Sequence, residues 1–300
     1  MNTSSEADFL RALYQSWTDR MAANPNLTIA DLRSLFDEWH QPTLEPEGVT
    51  YKSDIVAGVE SIWALPLGAD SSKVILYTHG GGFAVGSAAS HRKLAAHLAK
   101  QLGATAIVID YRRAPEHPFP AQLEDATAVY CELLARGFKS ENITTCGDSA
   151  GGNLAIATVL KLRDDSVELP GSVIAFSPWL DMEHIGETLE TNHATDALVS
   201  KAILQGMSGM FLGETGSRTN PLANPLKANY QGFPRLYIAV GSLETLLDNA
   251  TDLAQISKAA GGDVTLSVVD SMQHVFPILA GRAPEADAEL SRIANWFKSA

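Results

Sequence analysis

The stretch Gly147-Asp148-Ser149-Ala150-Gly151-Gly152 stands between a segment that reads as a strand, 142–146, and a helical pattern over 150–163. Its G-x-S-x-G spacing in a strand-turn-helix context is that of a nucleophile elbow. A serine on so sharp a turn holds its hydroxyl free above a sheet. Small residues at 147 and 151 let neighbouring backbones approach closely. A helix opening at 150 aims its free N–H groups at developing negative charge. The competing reading is a helix N-cap serine in a chance match, and the rest of the chain decides between them.

Around this turn, short apolar runs alternate with helical stretches. Upstream lie Val74-Ile75-Leu76-Tyr77, a helix near 89–102, Ala106-Ile107-Val108-Ile109, and a helix with Leu123, Ala126, Val129, Tyr130, Leu133 and Leu134 on one face. Downstream come strands at 172–176, 235–240 and 264–269, a helix between the last two, and a final helix at 285–298. This alternation predicts an α/β fold: a mostly parallel central sheet with helices on both faces. Residues 49–56 and 59–65 read as a hairpin around Gly58. Two intervals break the pattern. Residues 5–40 carry Phe9, Leu10, Leu13, Trp17, Leu32, Leu35, Phe36 and Trp39 at helical spacing, with Asn24-Pro25 between two helices. Residues 183–220 hold no strand run but a helix-like stretch at 196–212 with Leu204, Met207, Met210 and Phe211. The expected organisation is a catalytic domain of 46–182 and 221–300 under a helical cap of 1–45 and 183–220. The cap would cover the C-terminal strand ends, where open α/β sheets bind ligands; plain helix packing accounts for the same apolar residues equally well.

The 300 residues are 45% hydrophobic and 19% charged, with a net charge of −13. Such a chain folds rather than stays disordered. Its acidity argues against nucleic acid as a general partner, which would need a basic face. Two cysteines, Cys131 and Cys146, make neither a disulfide framework nor a cysteine zinc site and read as reduced apolar fillers. No signal-peptide pattern and no apolar run of membrane-spanning length is read, so the expected location is the cytoplasm, without a membrane partner.

A second motif, Thr78-His79-Gly80-Gly81-Gly82-Phe83, follows the run at 74–77. Three glycines expose backbone N–H groups to an anion, as the oxyanion of acyl transfer requires. A dinucleotide-type phosphate loop fails because position 85 is Val85, and no Walker lysine follows. A serine nucleophile also needs a base. Among eight histidines, His274 lies just beyond the last strand, where a loop returns to the sheet edge. His117, His184 and His193 precede strand 235–240, His91 and His97 read as helix-surface residues, and His79 as a brace for the glycine loop. The orienting acid should follow strand 235–240. Glu244 is favoured and Asp248 is its rival, although a first helical turn explains an acid at 248 without catalysis. Asp270 is too near His274 in sequence. The order Ser149, Glu244, His274 fits the α/β-hydrolase arrangement.

Together these segments resemble the bacterial hormone-sensitive-lipase-like (family IV) carboxylesterases of the α/β-hydrolase superfamily. Further matches are Asp110-Tyr111-Arg112-Arg113-Ala114-Pro115-Glu116-His117-Pro118-Phe119-Pro120-Ala121, Ser177-Pro178-Trp179-Leu180-Asp181 and His274-Val275-Phe276. The resemblance covers about residues 50–300. It implies an α/β-hydrolase core with a helical cap and ester hydrolysis without cofactor or metal. It also implies Ser149 as nucleophile, His274 as base, and an oxyanion hole from the N–H groups of Gly81, Gly82 and Ala150. Relatives suggest a homodimer formed through the last strand and its neighbouring helix. Two departures stand out: Glu244-Thr245-Leu246 where many members have Asp-Pro-Leu, and Arg113 where leucine is frequent. A small-molecule ester of short or medium chain is the expected substrate, with Phe83, Trp179, Met207, Met210 and Phe211 as candidate pocket walls. An amide or lactone hydrolase with the same triad, or a ligand sensor on the same fold, are the alternatives.

Overall fold

The computed structural model describes residues 3–24 and 26–299. Eight strands form one sheet: β1 (Val49–Val56), β2 (Val59–Pro66), β3 (Asp70–Thr78), β4 (Ala104–Ile109), β5 (Ile143–Asp148), β6 (Ser172–Phe176), β7 (Arg235–Gly241) and β8 (Val264–Val269). Their spatial order is β1-β2-β4-β3-β5-β6-β7-β8. The β1–β2 hairpin pairs antiparallel, as does β2 with β4, and the remaining pairs are parallel.

Both sheet faces are covered, and the two-residue period of the strands shows how. Val173, Ala175, Leu236, Ile238 and Val240 enter a cluster with α5 (Ala150–Asp164) and α8 (Leu247–Ala259). The alternate residues Ile174, Phe176, Tyr237 and Ala239 enter the main core, shared with α3 (Ala88–Leu102) and α9 (Pro284–Lys298). Strands buried on both faces read as continuous apolar runs, which is why they were legible as such.

The chain leaves β3 toward β4 on one side and returns to β5 on the other. The C-terminal ends of β3 and β5 therefore flank a topological switch point, the place where open α/β sheets leave a crevice. The loop at 79–86 follows β3, Ser149 follows β5, and the register sets Thr78 beside Gly147.

At the N-terminus, α1 (Ser5–Ala23) and α2 (Ile29–Phe36) are separated by a short connection. Pro25, expected to divide them, lies outside the described residues. A capping box, Thr28 with Asp31, opens α2. The buried face of α1 carries Leu10, Tyr14 and Trp17, whereas Phe9 is exposed under the Arg282 guanidinium. In the interval 183–220 the regular helix α7 (Lys201–Leu212) starts later than position 196. Ser200 caps it, and Asp196 instead folds a turn by accepting from the N–H groups of Leu198 and Val199. Both cysteines are free thiols. Among the described residues no helix is long and apolar enough to cross a membrane.

Candidate active site

Ser149 is the single residue between β5 and α5, at φ 52° and ψ −120°. A non-glycine residue pays about 1–3 kcal/mol for such a conformation. The turn is tight enough that a Cβ on Gly151 would lie 2.0 Å from the Thr78 carbonyl oxygen. Main-chain bonds hold the serine in place: its N–H donates to the Phe176 carbonyl at 2.9 Å, and its carbonyl accepts from the Trp179 N–H at 3.0 Å.

The glycine loop is pinned on several sides. Asp148 Oδ1 accepts from the Gly80 N–H at 3.1 Å and from the Tyr77 hydroxyl at 2.7 Å. The Tyr111 hydroxyl donates to the His79 carbonyl at 2.7 Å, and the Arg113 guanidinium to that of Gly86 at 2.6 Å. From α2, Arg33 Nε donates to the Ala84 carbonyl at 2.9 Å. Gly82, at φ 59°, runs directly beneath Met207, whose Cγ would meet an added Cβ at 2.7 Å. Gly81 and Gly82 border the same cavity as Ser149, and Ala150 is the first residue of α5.

On the opposite side, His274 Nδ1 lies 2.8 Å from Glu244 Oε2, leaving Nε2 available. Both side chains are buried. The second oxygen of Glu244 accepts from the Ser177 hydroxyl at 2.7 Å and from the Gly241 N–H. Ser177 Oγ in turn accepts from the Val275 N–H at 3.0 Å, so one hydroxyl joins the acid to the residue after the histidine. Burial pushes the Glu244 carboxyl up against the pull of His274, Ser177 and Gly241. Burial alone would lower His274; the bond and charge of Glu244 outweigh it, and the imidazole is raised. Backbone strain gathers here too: Phe83, Ser149, Ser177 and the β-branched Val275 all have positive φ.

Ser149 and His274 face one narrow apolar cavity of about 40 Å³. Gly81, Gly82, Val85 and Trp179 line its sheet side, Phe36 and Trp39 come from the N-terminal segment, and Leu198, Val199, Ile203, Leu204 and Met207 come from the interval 183–220.

Residues 75–278 match a protein family described as the alpha/beta hydrolase fold. A bacterial hormone-sensitive lipase family esterase of known crystal structure superimposes with a TM-score of 0.94 at 37% identity, covering 100% of this chain and 99% of that one. This chain belongs to that family of α/β hydrolases, and it is a carboxylic-ester hydrolase. It is 41% identical over 214 residues to an acetyl-hydrolase of Streptomyces hygroscopicus, covering 71% of each chain. It is 32% identical over 284 residues to an esterase of Acinetobacter venetianus, covering 94% of this chain and 93% of the relative.

Within this esterase, three expected wall residues lie away from the cavity. Phe83 and Phe211 stack on each other, centroids 3.7 Å apart, and are fully buried behind the wall. Met210 packs against the core. Met207 shares the cavity-facing stripe of α7 with Ile203 and Leu204, whereas Met210 and Phe211 sit one turn farther along the helix and do not line the cavity. Asp248 is also remote from the histidine; its carboxylate accepts from the Thr188 N–H at 2.9 Å and from the Asn249 amide at 3.0 Å. His91 is fully buried, not on a helix surface, with Nε2 3.3 Å from Asp148 Oδ2. His79 stacks on Tyr111, and burial pushes its imidazole down to about 3. Sequence reasoning missed Ser177 and Tyr14 as polar partners of the site; the Ser177-Pro178-Trp179 match was the available signal for the first.

Proposed function

We propose that this esterase hydrolyses short-chain carboxylic esters through a Ser149–His274–Glu244 triad and an acyl-enzyme. The observation carrying this reading is the convergence of Ser149 and His274 on one apolar cavity while His274 Nδ1 is bonded to Glu244. His274 Nε2 takes the Ser149 proton as Oγ attacks the ester carbonyl. The oxyanion lies against the N–H groups of Gly81, Gly82 and Ala150, where a single donor is worth about 10²–10³ in rate. The C–O bond to the alcohol then breaks, and His274 gives its proton to the departing oxygen. Water repeats the attack on the acyl-enzyme with the same base, freeing the acid and Ser149. Glu244 fixes the ring orientation and stabilises the imidazolium. Its extra methylene relative to aspartate is accommodated because Ser177 and Gly241 hold its second oxygen.

Residues 1–45 and 183–220 act as the cap. Supporting this, Phe36, Trp39 and the residues from Leu198 to Met207 close the cavity opposite the sheet. The small cavity, with Met207 against Gly82, favours acetyl to butyryl groups, in keeping with the acetyl-hydrolase relative. The open edge of β8, with Val268 exposed, supports pairing of two copies.

Hydrolysis of p-nitrophenyl esters from acetyl to palmitoyl, with wild type beside Ser149→Ala, tests the reading. Activity should peak at acetyl to butyryl and fall by at least about 10⁴-fold in the variant. Full activity in Ser149→Ala, or a maximum at palmitoyl, overturns it.

A further inference from the structure

The base is held from a direction the triad does not include. Tyr14, on α1, is fully buried, and its hydroxyl donates to the His274 main-chain carbonyl at 2.9 Å across 260 residues of sequence. The Tyr14 hydroxyl oxygen in turn accepts from the Trp39 indole N–H at 3.2 Å. Trp39 is itself a wall of the cavity that Ser149 faces. A continuous chain of donors thus runs from the cavity wall through Tyr14 to the backbone of the histidine.

We propose that Tyr14 is a positioning residue for His274, tying the base to the cavity wall contributed by Trp39. The inference rests on the reading of His274 as the catalytic base. Its physical basis is a two-point attachment. Glu244 fixes the imidazole at Nδ1, and Tyr14 fixes the main chain from which the ring hangs. Val275, next along, occupies the left-handed region at φ 52° and ψ 41°. For a β-branched residue that conformation has to be held by its surroundings. The Ser177 hydroxyl holds the Val275 N–H from the core side, and Tyr14 holds the preceding carbonyl from the cap side. Loss of either lets the turn relax, and a misplacement of about 1 Å at a reacting group costs roughly 10²-fold in rate.

The hydroxyl is fitted to act as a permanent donor. Burial raises it far above the ordinary phenol value, and the carboxylates of Asp148, Glu244 and Asp196 oppose its ionisation further. The neighbouring contacts close the same strap. The Thr18 hydroxyl donates to the Ala197 carbonyl at 2.8 Å, while the Gln273 side chain accepts from the Ala197 N–H at 2.9 Å and donates to the Thr195 carbonyl at 2.9 Å. Helix α1, the segment at 195–197 and the base-bearing loop are therefore one hydrogen-bonded unit.

Tyr14→Phe deletes one oxygen and keeps the ring. With p-nitrophenyl acetate, kcat should fall about tenfold, KM should stay within about twofold, and the acid limb of the kcat/KM profile should move to lower pH. That limb moves because a loosened ring feels less of Glu244. A purely structural role would lower the melting temperature and leave the pH profile in place, which would overturn the proposal. If Tyr14→Phe does not fold, 4-aminophenylalanine at position 14 keeps an N–H donor in the same place. Near-wild-type kcat and pH profile in that folded variant support the assignment, and a tenfold loss overturns it. Labelling with a serine-directed phosphonate separates the two levels. No adduct at Ser149 in the wild type removes the triad reading itself. An adduct in the wild type with an unchanged profile in Tyr14→Phe removes only Tyr14.

Discussion

Two buried histidine–carboxylate pairs flank Ser149, and in the proposed mechanism only one of them serves it. In the first, His274 and Glu244 are 2.8 Å apart and His274 borders the apolar cavity. In the second, His91 and Asp148 are 3.3 Å apart, both fully buried, and the imidazole is walled in by Trp39, Tyr77 and His79. The chemical groups are nearly the same. The difference is what the outer atoms face. His274 has a nitrogen free toward substrate, whereas Asp148 spends its other oxygen on the Tyr77 hydroxyl and the Gly80 N–H. In the proposed mechanism the first pair moves a proton, while Asp148 of the second holds the glycine loop through the Gly80 N–H. A histidine beside a carboxylate is thus no evidence of catalysis until the cavity is located.

Glu244→Gln puts the largest strain on this contrast. If Glu244 orients the base as proposed, an amide in its place should cut kcat by about 10²–10⁴-fold, with little change in the denaturation midpoint. The pH profile should report the cause. In the proposed mechanism turnover needs the unprotonated imidazole, so activity should rise with pH through the His274 value, which Glu244 holds above the ordinary 6.5. Without the carboxylate, burial pushes that value down, opposed only by the lesser pull of Asp196 and Asp148. The acid limb should therefore shift to lower pH in steady-state measurements from pH 5 to 9. A limb that stays in place would mean that Glu244 does not charge the base.

Asp148→Asn should do the reverse. It breaks a buried pair and weakens a donor set, so the larger effect is on stability: about 3 kcal/mol in urea unfolding. Turnover should fall only about tenfold, through slack in the Gly80–Gly82 loop. The sign of the pH effect follows from the direction of its shift. Although burial raises the Asp148 carboxyl, His91 and Tyr77 outweigh it, and the folded value lies below the ordinary one of 3.8. Its stabilisation is present above that ordinary value and is lost as pH falls through the lower, folded one. Asp148→Asn should lack that component of acid unfolding. If it lost more turnover than Glu244→Gln, the division of labour between the two pairs would be reversed.

The same contrast explains what could be read from sequence. Ser149 and Gly80–Gly82 were legible because their chemistry needs several small residues at fixed spacing in one contiguous stretch. The strands were legible because burial on both faces leaves continuous apolar runs. Glu244 and His274 were narrowed by chain order and by resemblance, since each sits alone on a loop. His91 was misread because its helix, α3, is buried over much of its surface, so a polar residue in the pattern did not mark an exposed face. Tyr14 carried no local signal and Ser177 only its place in the matched segment Ser177–Asp181: each acts on a group dozens to hundreds of residues away, 260 for Tyr14 and 67 and 98 for Ser177. The walls Phe83, Met210 and Phe211 rest on residue type alone: Met210 and Phe211 sit one helical turn beyond Met207, and Phe83 stacks on Phe211 instead of lining the cavity.

The smallest expected effect belongs to Asp248→Asn, and it tests whether proximity in sequence means anything here. Asp248 stands four residues after Glu244, at the start of α8, and a carboxylate there suits the helix dipole. Its oxygens are committed to the Thr188 N–H and the Asn249 amide, tying the interval 183–220 to α8 rather than reaching the imidazole. An asparagine can keep the acceptor toward Thr188 and must then turn its NH₂ toward the Asn249 amide, losing that bond. The expected cost is about 1 kcal/mol in urea unfolding. Turnover should stay within about twofold and the acid limb should not move, because the charge facing His274 is that of Glu244. A large loss of kcat in Asp248→Asn with a silent Glu244→Gln would transfer the orienting role to Asp248. It would also require the loop at 242–248 to rearrange when substrate binds.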